Sequence, residues 1–291
     1  MNTKNVYILE DRGILFINGS DVKDFLQNLI TNDINKVKNT NSCFASLLTP
    51  QGKFLYDFLI TKHKNGYFID CEKNQADELF KQLNFYKLRS NIEISNLSNE
   101  FVVAAFSYEK FMSFKEAKDQ QGYTFKYNED PIFLDPRHIK LGGRLIINLE
   151  KLNFSLKDLK LSPSKTEEYY KFSYELGIPQ KNMEKLKNKL FGIECNFEEL
   201  NGIDFKKGCY IGQENTARMK LKHKLRKKLV ALKSDKKINI GSDVNYKDKK
   251  IGTVLISDPY PFAIIKLVDP DFTEFKDKEL LVDNNISKII Q

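Results

Sequence analysis

The sequence predicts an α+β body followed by a small all-β module at the C-terminal end. Residues 1–107 alternate short strand patterns with amphipathic helices, and several strands are joined as hairpins, which favours an antiparallel or mixed sheet. After Lys220 the pattern changes to short strands separated by turn residues. We therefore expect a body over 1–219, with room for two interleaved subdomains, and a barrel or sandwich over 220–291.

The first amphipathic helix follows two short strands in "VYILEDRGILFING". In "SDVKDFLQNLITNDI", apolar residues recur at the helical spacing i, i+3, i+4, i+7 and i+8, and they are Val22, Phe25, Leu26, Leu29 and Ile30. Ser20 or Asp21 is placed to cap this helix. The helix leads into the polar residues Thr31, Asn32 and Asp33.

The rest of the body shows two further helices and several strands. "SCFASLLTPQGKFLYDFLITKH" predicts two strands joined by a turn over 49–52. "KNQADELFKQLNFYKLR" predicts a helix, and "SKTEEYYKFSYELGIP" predicts another that ends at Gly177. "LDPRHIKLGGRLIIN" predicts a turn and then a strand.

Composition narrows the protein class. The 291 residues are 41% hydrophobic, which suffices for a sizeable core. No apolar run approaches the roughly 20 residues that cross a bilayer, and the N-terminal segment does not resemble a secretory signal. We expect a cytoplasmic protein with no membrane partner.

The cysteines and histidines do not predict a metal site. The four cysteines are too few and too widely spaced for a disulfide framework, and none form a C-x-x-C pair. The three histidines share no close ligand spacing. We therefore expect no metal bound by this chain alone.

The octet "KGCYIGQE" over 207–214 is the motif that carries chemistry. It places a thiol, Cys209, beside Lys207 and between two glycines, just before "GQENTARM", which can start a helix. A neighbouring cation and a helix N-terminus both favour the thiolate, so Cys209 is a candidate reactive residue. The alternative is a small buried cysteine in a tight turn, because free cysteine is among the most buried residue types.

The same octet resembles the signature of the YgfZ family of folate-binding, iron–sulfur-assembly proteins, which are relatives of the aminomethyltransferase T-protein of the glycine cleavage system. Other blocks resemble this family in the same order, namely "FINGSDVKDFLQNLITNDI", "LLTPQGKFLYDFLI", "DPRHIKLGGR", "GIP" and "FEELNGIDFKKGCY". One departure is Ser173, which stands where the family usually has an arginine.

The resemblance implies an aminomethyltransferase-like folate-binding fold with a ferredoxin-like portion and a C-terminal β-barrel around a central cleft. It implies that tetrahydrofolate binds in the cleft and that the protein supports iron–sulfur client enzymes and their assembly factors, including enzymes that modify transfer RNA. Lys207 and Cys209 correspond to the functional lysine and cysteine of the family. The residues implied for the cleft are Asn32, Asp33, Asp57, Tyr210, Gln213, Glu214 and Arg218.

Whether the protein turns over a substrate stays open at this point. A true aminomethyltransferase needs an acid near the reacting amine, and Asp57 is the best candidate for that role. The alternative for Asp57 is a carboxylate at a strand end that faces solvent. Tyr56 stands where related transferases tend to have a second acid, which disfavours transferase activity.

A basic stretch follows the octet. Seven Lys or Arg residues and no acid lie between Arg218 and Lys228, out of a formal net charge of +8. If Lys220 begins a strand, the basic residues at even positions form one cationic face. This face could hold a folate polyglutamate tail, an acidic partner or RNA phosphates, or it could be a solvated surface. The chain has no tryptophan for base stacking, so nucleic-acid binding is the less favoured alternative.

Overall fold

The structure is a computed structural model that describes residues 1–222 and 225–290. The chain forms two compact units. The first unit contains Met1–Leu48, Tyr56–Tyr169 and Glu198–Ile211. The second contains Thr49–Leu55, Tyr170–Phe197 and the described chain from Gly212 onward. The expected boundary between 219 and 220 stays a prediction, since the second unit also takes in two segments from earlier in the chain.

The described residues form seven α-helices. They are α1 (Val22–Leu29), α2 (Ala76–Lys87), α3 (Tyr108–Met112), α4 (Leu149–Asp158), α5 (Thr166–Glu175), α6 (Gln213–Leu221) and α7 (Phe272–Phe275). The apolar stripe predicted for α1 is buried, as expected for a helix that packs on a core. No described helix is both long enough and apolar enough to cross a membrane.

The first eleven strands build two sheets of the first unit. They are β1 (Asn5–Leu9), β2 (Arg12–Asn18), β3 (Cys43–Leu48), β4 (Phe54–His63), β5 (Gly66–Glu72), β6 (Glu93–Asn96), β7 (Phe101–Phe106), β8 (Thr124–Tyr127), β9 (Asp130–Leu134), β10 (Gly143–Asn148) and β11 (Ser162–Ser164). One sheet has the order β3-β4-β5-β2-β6 and the other β11-β1-β7-β10-β9-β8. The consecutive strands β1 and β2 therefore belong to different sheets.

Alternation along the strands places the core of the six-stranded sheet. Val102, Ala104 and Phe106 lie on one face of β7, and Leu145 and Ile147 lie on the same face of β10. Successive side chains of a strand point to opposite faces, so this i, i+2 pattern presents a continuous apolar surface. Phe111 of α3 and Leu156 of α4 belong to the same buried cluster.

The last six strands form a closed barrel in the second unit, which confirms the predicted β module. They are β12 (Lys227–Ser234), β13 (Asp243–Tyr246), β14 (Lys249–Ile256), β15 (Phe262–Lys266), β16 (Leu280–Val282) and β17 (Asn285–Ile289). Pairing of Leu232 in β12 with Ile289 in β17 closes the barrel. The strand β17 and the short helix α7 were not predicted.

The expectation of a cationic strand beginning at Lys220 is wrong. Helix α6 continues through Leu221, and β12 begins only at Lys227. The even-numbered basic residues therefore do not share one strand face, because helical and strand positions project differently. His223 and Lys224 lie outside the described residues.

Candidate functional site

The loop over 201–211, which carries the thiol, is joined by hydrogen bonds to the C-terminal end of α1. The Thr31 hydroxyl donates to the Gly202 carbonyl at 2.6 Å, and the Asp204 amide donates to the Thr31 carbonyl at 3.0 Å. At the far end of the loop, the Ile211 amide donates to the Asn28 carbonyl at 3.1 Å. The helix end thus fixes both ends of the loop.

Lys207 is the main brace between the loop and the helix. Its ammonium donates to the carbonyls of Gln27 at 2.8 Å, Ile30 at 2.6 Å and Asn32 at 2.9 Å. The last carbonyls of a helix have no partner within the helix, and a lysine ammonium has three N–H donors, so one side chain satisfies all three. The ammonium also lies 4.8 Å from the centre of the Tyr210 ring.

Burial lowers the pKa of Lys207 to about 8. The negative charges of Asp33 and Asp204 act in the opposite direction. All three hydrogen-bond partners of Lys207 are backbone carbonyl oxygens, so its contacts position the loop. The expected role of Lys207 in tuning the neighbouring thiol stays a prediction.

Cys209 is exposed, whereas Cys43, Cys71 and Cys195 are buried. Burial raises the pKa of both Cys43 and Cys71 to about 12, which keeps these two thiols protonated. Within residues 1–222 and 225–290, no atom beyond Gly208 and its two chain neighbours lies within 4 Å of the position that a Cβ would take at Gly208. The thiol of Cys209 is therefore the one presented to solvent, which excludes the alternative of a buried cysteine in a tight turn.

Asn32 and one carboxylate oxygen of Asp33 form hydrogen bonds within the chain. The Asn32 amide donates to the carbonyls of Phe44 at 2.8 Å and Asn201 at 2.7 Å, and its oxygen accepts from the Asp33 amide. The Asp33 carboxylate caps a short 3₁₀ turn by accepting from the Asn35 amide at 3.0 Å. Both residues therefore shape the support for the loop.

A polar cavity of about 290 Å³ lies beside the loop in the first unit, and the sequence did not predict it. An ion pair of 2.6 Å between Lys36 and Asp204 lies among its lining residues. Burial opposes ionisation of Asp204, but hydrogen bonds from Lys36 and from backbone N–H groups prevail and lower its pKa. The cavity is also lined by Asn32, Cys43, Gln121 and Asn201.

Asp57 is a buried carboxylate in β4, and it does not face solvent. Burial raises its pKa, while the positive charges of Arg12 and Arg137 partly offset this effect. Its neighbour Tyr56 is buried too, and burial together with the charge of Glu78 raises the pKa of the phenol to about 12. This chain thus has a neutral phenol at the position where related transferases tend to have a second acid.

Asp57 adjoins a buried ion cluster that was missed in the sequence. Asp70 of β5 accepts from Arg12 of β2 at 2.6 Å and from Arg144 of β10 at 2.7 Å, which connects the two sheets. Asp135 pairs with Arg137 at 2.7 Å. The sequence does contain a signal for this cluster, because Asp70 is a charged residue within the apolar strand "GYFIDC". Burying a charge costs free energy unless it is paired.

The remaining predicted residues lie on α6 in the second unit. Gln213 is half-buried, and Glu214 and Arg218 are exposed. The Arg218 guanidinium donates to the Asn215 side chain at 2.6 Å, and Asn215 donates to the carbonyl of Gln51 at 2.7 Å. The predicted set thus divides into six residues of the first unit and three of the second.

Ser173, at the expected arginine position, serves the local fold. Its hydroxyl donates to the Ile178 carbonyl at 2.8 Å and accepts from the Gln180 side chain at 2.8 Å. Among residues 1–222 and 225–290, no group of three or more His, Cys, Asp or Glu side chains could hold a metal ion.

Comparison with known proteins shows relatives named for iron–sulfur assembly. The chain is 30% identical over 236 residues to a mitochondrial iron–sulfur cluster assembly factor IBA57 homolog of Neurospora crassa, covering 76% of this chain and 52% of that protein. It is 29% identical over 253 residues to the protein of the same name in Dictyostelium discoideum, covering 78% of this chain and 62% of that protein. The chain thus spans about half to two thirds of the curated relatives it matches. No protein-family model matches the chain.

A solved structure confirms the predicted fold class. The glycine cleavage system aminomethyltransferase T from Bartonella henselae superposes with a TM-score of 0.74 over 98% of this chain and 85% of that one, at 13% sequence identity. At this identity the likeness establishes the fold alone. The chain therefore has an aminomethyltransferase-like α+β fold with a closed C-terminal β-barrel.

The expectation of a cytoplasmic protein is contradicted by these relatives, which are named as mitochondrial proteins. That expectation rested on the lack of a spanning segment and of a secretory signal. Neither feature distinguishes the cytoplasm from the interior of an organelle, because both compartments hold proteins without spanning segments.

Proposed function

We propose that this protein is an accessory factor in iron–sulfur cluster assembly or repair, and that the thiol of Cys209 is its reactive group. The observation that carries the proposal is the exposure of Cys209 on a loop braced by Lys207. The similarity to proteins named iron–sulfur cluster assembly factors supports the same role. The clients would include iron–sulfur enzymes that modify transfer RNA, as the YgfZ-type resemblance implies.

The chemistry of an exposed thiol suits this role. A thiolate is a soft ligand that binds iron in clusters, and it can also attack a reactive species or another sulfur. One thiol cannot hold a cluster alone, so a cluster carried as cargo would take its other ligands from a partner, a second protomer or glutathione. The fixed loop reduces the entropy lost when the thiol meets such a partner.

Tetrahydrofolate is the cofactor that we propose for the body, on the strength of the resemblance. We propose Asp57 as a ligand of the pterin, because a carboxylate can accept hydrogen bonds from its amide-like edge. Asn32 is a poorer ligand, since both N–H groups of its amide donate within the chain. Asp33 stays a predicted cleft residue, since the hydrogen bonds at its carboxylate go to one oxygen. The neutral phenol of Tyr56 argues against aminomethyltransferase turnover.

Complementation of a strain that lacks this protein tests the proposal. The parental chain and Lys206→Ala, which changes an exposed neighbour on the same loop, should restore iron–sulfur enzyme activity. Cys209→Ala should accumulate as folded protein and fail to restore it. Equal restoration by Cys209→Ala would remove the proposed role of the thiol.

A further inference from the structure

The C-terminal end of α2 carries two large apolar side chains in solvent. Phe85 is 73% exposed and Leu88 is 88% exposed, although α2 buries its opposite face through Leu79 and Leu83. Scattered apolar residues on a surface are normal, but these two lie three positions apart at one helix end. They form, with Lys81, Lys87 and Arg89, the feature called the α2 tip below.

The backbone at Leu88 is unfavourable for leucine. Its φ of +44° and ψ of −111° lie close to the first corner of a type II′ turn, roughly +60° and −120°, where glycine is preferred. The Ser90 amide donates to the Lys87 carbonyl at 2.8 Å and closes this turn. Leu88 occupies a position where glycine is preferred, and its side chain lies in solvent. It therefore adds no packing that would stabilise the fold, which points to a function.

The turn is held in place rather than left loose. The Asn91 amide donates to the Asp21 carboxylate at 2.7 Å, and the Asn91 side chain donates to the Ser20 hydroxyl at 3.0 Å. The Asp21 amide donates back to the Asn91 carbonyl at 3.4 Å. The start of α1 thus anchors the turn that projects Leu88.

The chain around the two apolar side chains is basic, although the Asp21 carboxylate contacts the turn through Asn91. Lys81, Lys87 and Arg89 lie in the segment 79–92, which contains no acidic residue. Within the described part of the chain, none of the three takes part in an ion pair. Their charge is therefore available to an anionic surface.

We propose that the α2 tip binds peripherally to a lipid bilayer that contains anionic lipids. Phe85 and Leu88 enter the boundary between headgroups and acyl chains, and Lys81, Lys87 and Arg89 contact the anionic headgroups. A bilayer suits a projecting tip, because insertion needs no complementary pocket, whereas a protein partner would. Two copies of a cationic tip would repel each other, which disfavours self-association.

Peripheral binding requires no spanning segment. The expectation that the protein has no membrane partner rested only on the absence of such a segment, so it does not bear on this contact. The proposal is independent of the role of Cys209, since the tip involves none of the residues of the 201–211 loop.

Co-sedimentation of the full chain with phosphatidylcholine vesicles, with and without phosphatidylserine, tests the proposal. The parental protein should partition onto the anionic vesicles and much less onto the neutral ones, and added salt should weaken binding. Leu88→Gly and Phe85→Ser should each lower the partition coefficient roughly tenfold, the effect of exposing one apolar side chain again. Leu88→Gly should also keep or raise the melting temperature, because glycine suits the turn.

Phe154→Ser is the matched control, because Phe154 is 72% exposed on α4 and its segment has charges of both signs. It should bind vesicles like the parental chain. Equal binding to neutral and anionic vesicles, or unchanged binding of Leu88→Gly and Phe85→Ser, would overturn the proposal. A dimer that Leu88→Gly dissociates, with no vesicle binding by the parental chain, would assign the tip to self-association instead.

Discussion

At the scale of single residues, exposure separates Cys209 from the other three cysteines. An alkylating reagent acts on an accessible thiolate, so iodoacetamide should modify Cys209 in the folded protein and leave Cys43, Cys71 and Cys195 unmodified. Mass spectrometry of the digested protein measures the modification at each position. Urea should make all four cysteines react.

The control for this experiment is Cys209→Ala, which should take up no label while folded. Labelling of Cys43 at the rate of Cys209 would mean that the polar cavity beside Cys43 opens to solvent. That result would contradict the assignment of Cys209 as the presented thiol.

Lys207 should contribute strongly to stability. Lys207→Met removes the donor to three carbonyls at and just after the end of α1, and two of these bonds are buried. We expect a loss of about 3 kcal/mol in the free energy of unfolding, measured by urea denaturation. Lys206→Met should cost little, because Lys206 is exposed. A loss of similar size in both variants would contradict the proposed role of Lys207 in holding the loop on α1.

The sequence identified Lys207 and Cys209 but not what Lys207 contacts. The octet marks both residues by type and spacing, and the thiol proved to be exposed. The partners of Lys207 are backbone carbonyls, which every residue carries, so no side-chain pattern announces them. Likewise, the residue type of Asn32 does not disclose that its side chain bonds within the chain.

At the scale of elements, the buried ion cluster ties β5 of one sheet to β10 of the other. Asp70→Asn would leave Arg12 and Arg144 buried beside a neutral amide. Removing one partner of a buried pair costs about 3–5 kcal/mol, and we expect a loss of this size in urea denaturation. Asp158→Asn on exposed α4 is a control that should cost much less than this. A neutral result for Asp70→Asn would show that the cluster does not hold the sheets together.

The same cluster predicts how stability depends on pH. Burial opposes ionisation of Asp70 and Asp135, but the neighbouring arginines prevail and lower both pKa values. A lowered pKa gives stability that is complete above the unfolded value, about 3.9, and is lost as the pH falls through the folded value. The parental chain should therefore lose stability more steeply below about pH 4 than Asp70→Asn does. If the free energy of unfolding of the two proteins fell in parallel as the pH was lowered, the lowered pKa of Asp70 would be contradicted.

Local pattern predicted most elements but not their partners. The 3.6-residue stripe of α1 and the turn-bounded strands of the barrel are properties of short segments, so the sequence shows them. The separation of β1 and β2 into different sheets depends on pairing with distant strands, which periodicity does not encode. The continuation of α6 through Leu221 was not predicted, because basic residues at every second position resemble one face of a strand. The structure shows that these positions begin in a helix.

At the scale of the whole molecule, folate binding and stability should respond differently at Asp57. Tetrahydrofolate should raise the melting temperature of the parental chain, as any ligand of the folded state does. Asp57→Asn should reduce this shift while leaving the unliganded protein as stable at neutral pH, or more stable. The reason is that burial raises the pKa of Asp57, so its stabilisation is complete below the unfolded pKa and is lost as the pH rises through the folded one.

Glu116→Gln serves as a control for the folate experiment, because it removes an exposed charge outside the predicted cleft with little effect expected on stability. A full tetrahydrofolate shift in Asp57→Asn would remove Asp57 from the proposed site. Absence of any shift in the melting temperature of the parental chain would contradict the proposed binding of tetrahydrofolate.

The central claim is that the thiol on the braced loop sustains iron–sulfur enzymes. Its most direct measurement is the level of thiomethylated transfer RNA, a product of iron–sulfur enzymes, in a deletion strain that carries either the parental chain or Cys209→Ala at equal amounts of folded protein. We predict that the parental chain restores the modification and that Cys209→Ala leaves it at the level of the deletion strain. Restoration of the modification by Cys209→Ala to the parental level would contradict the account.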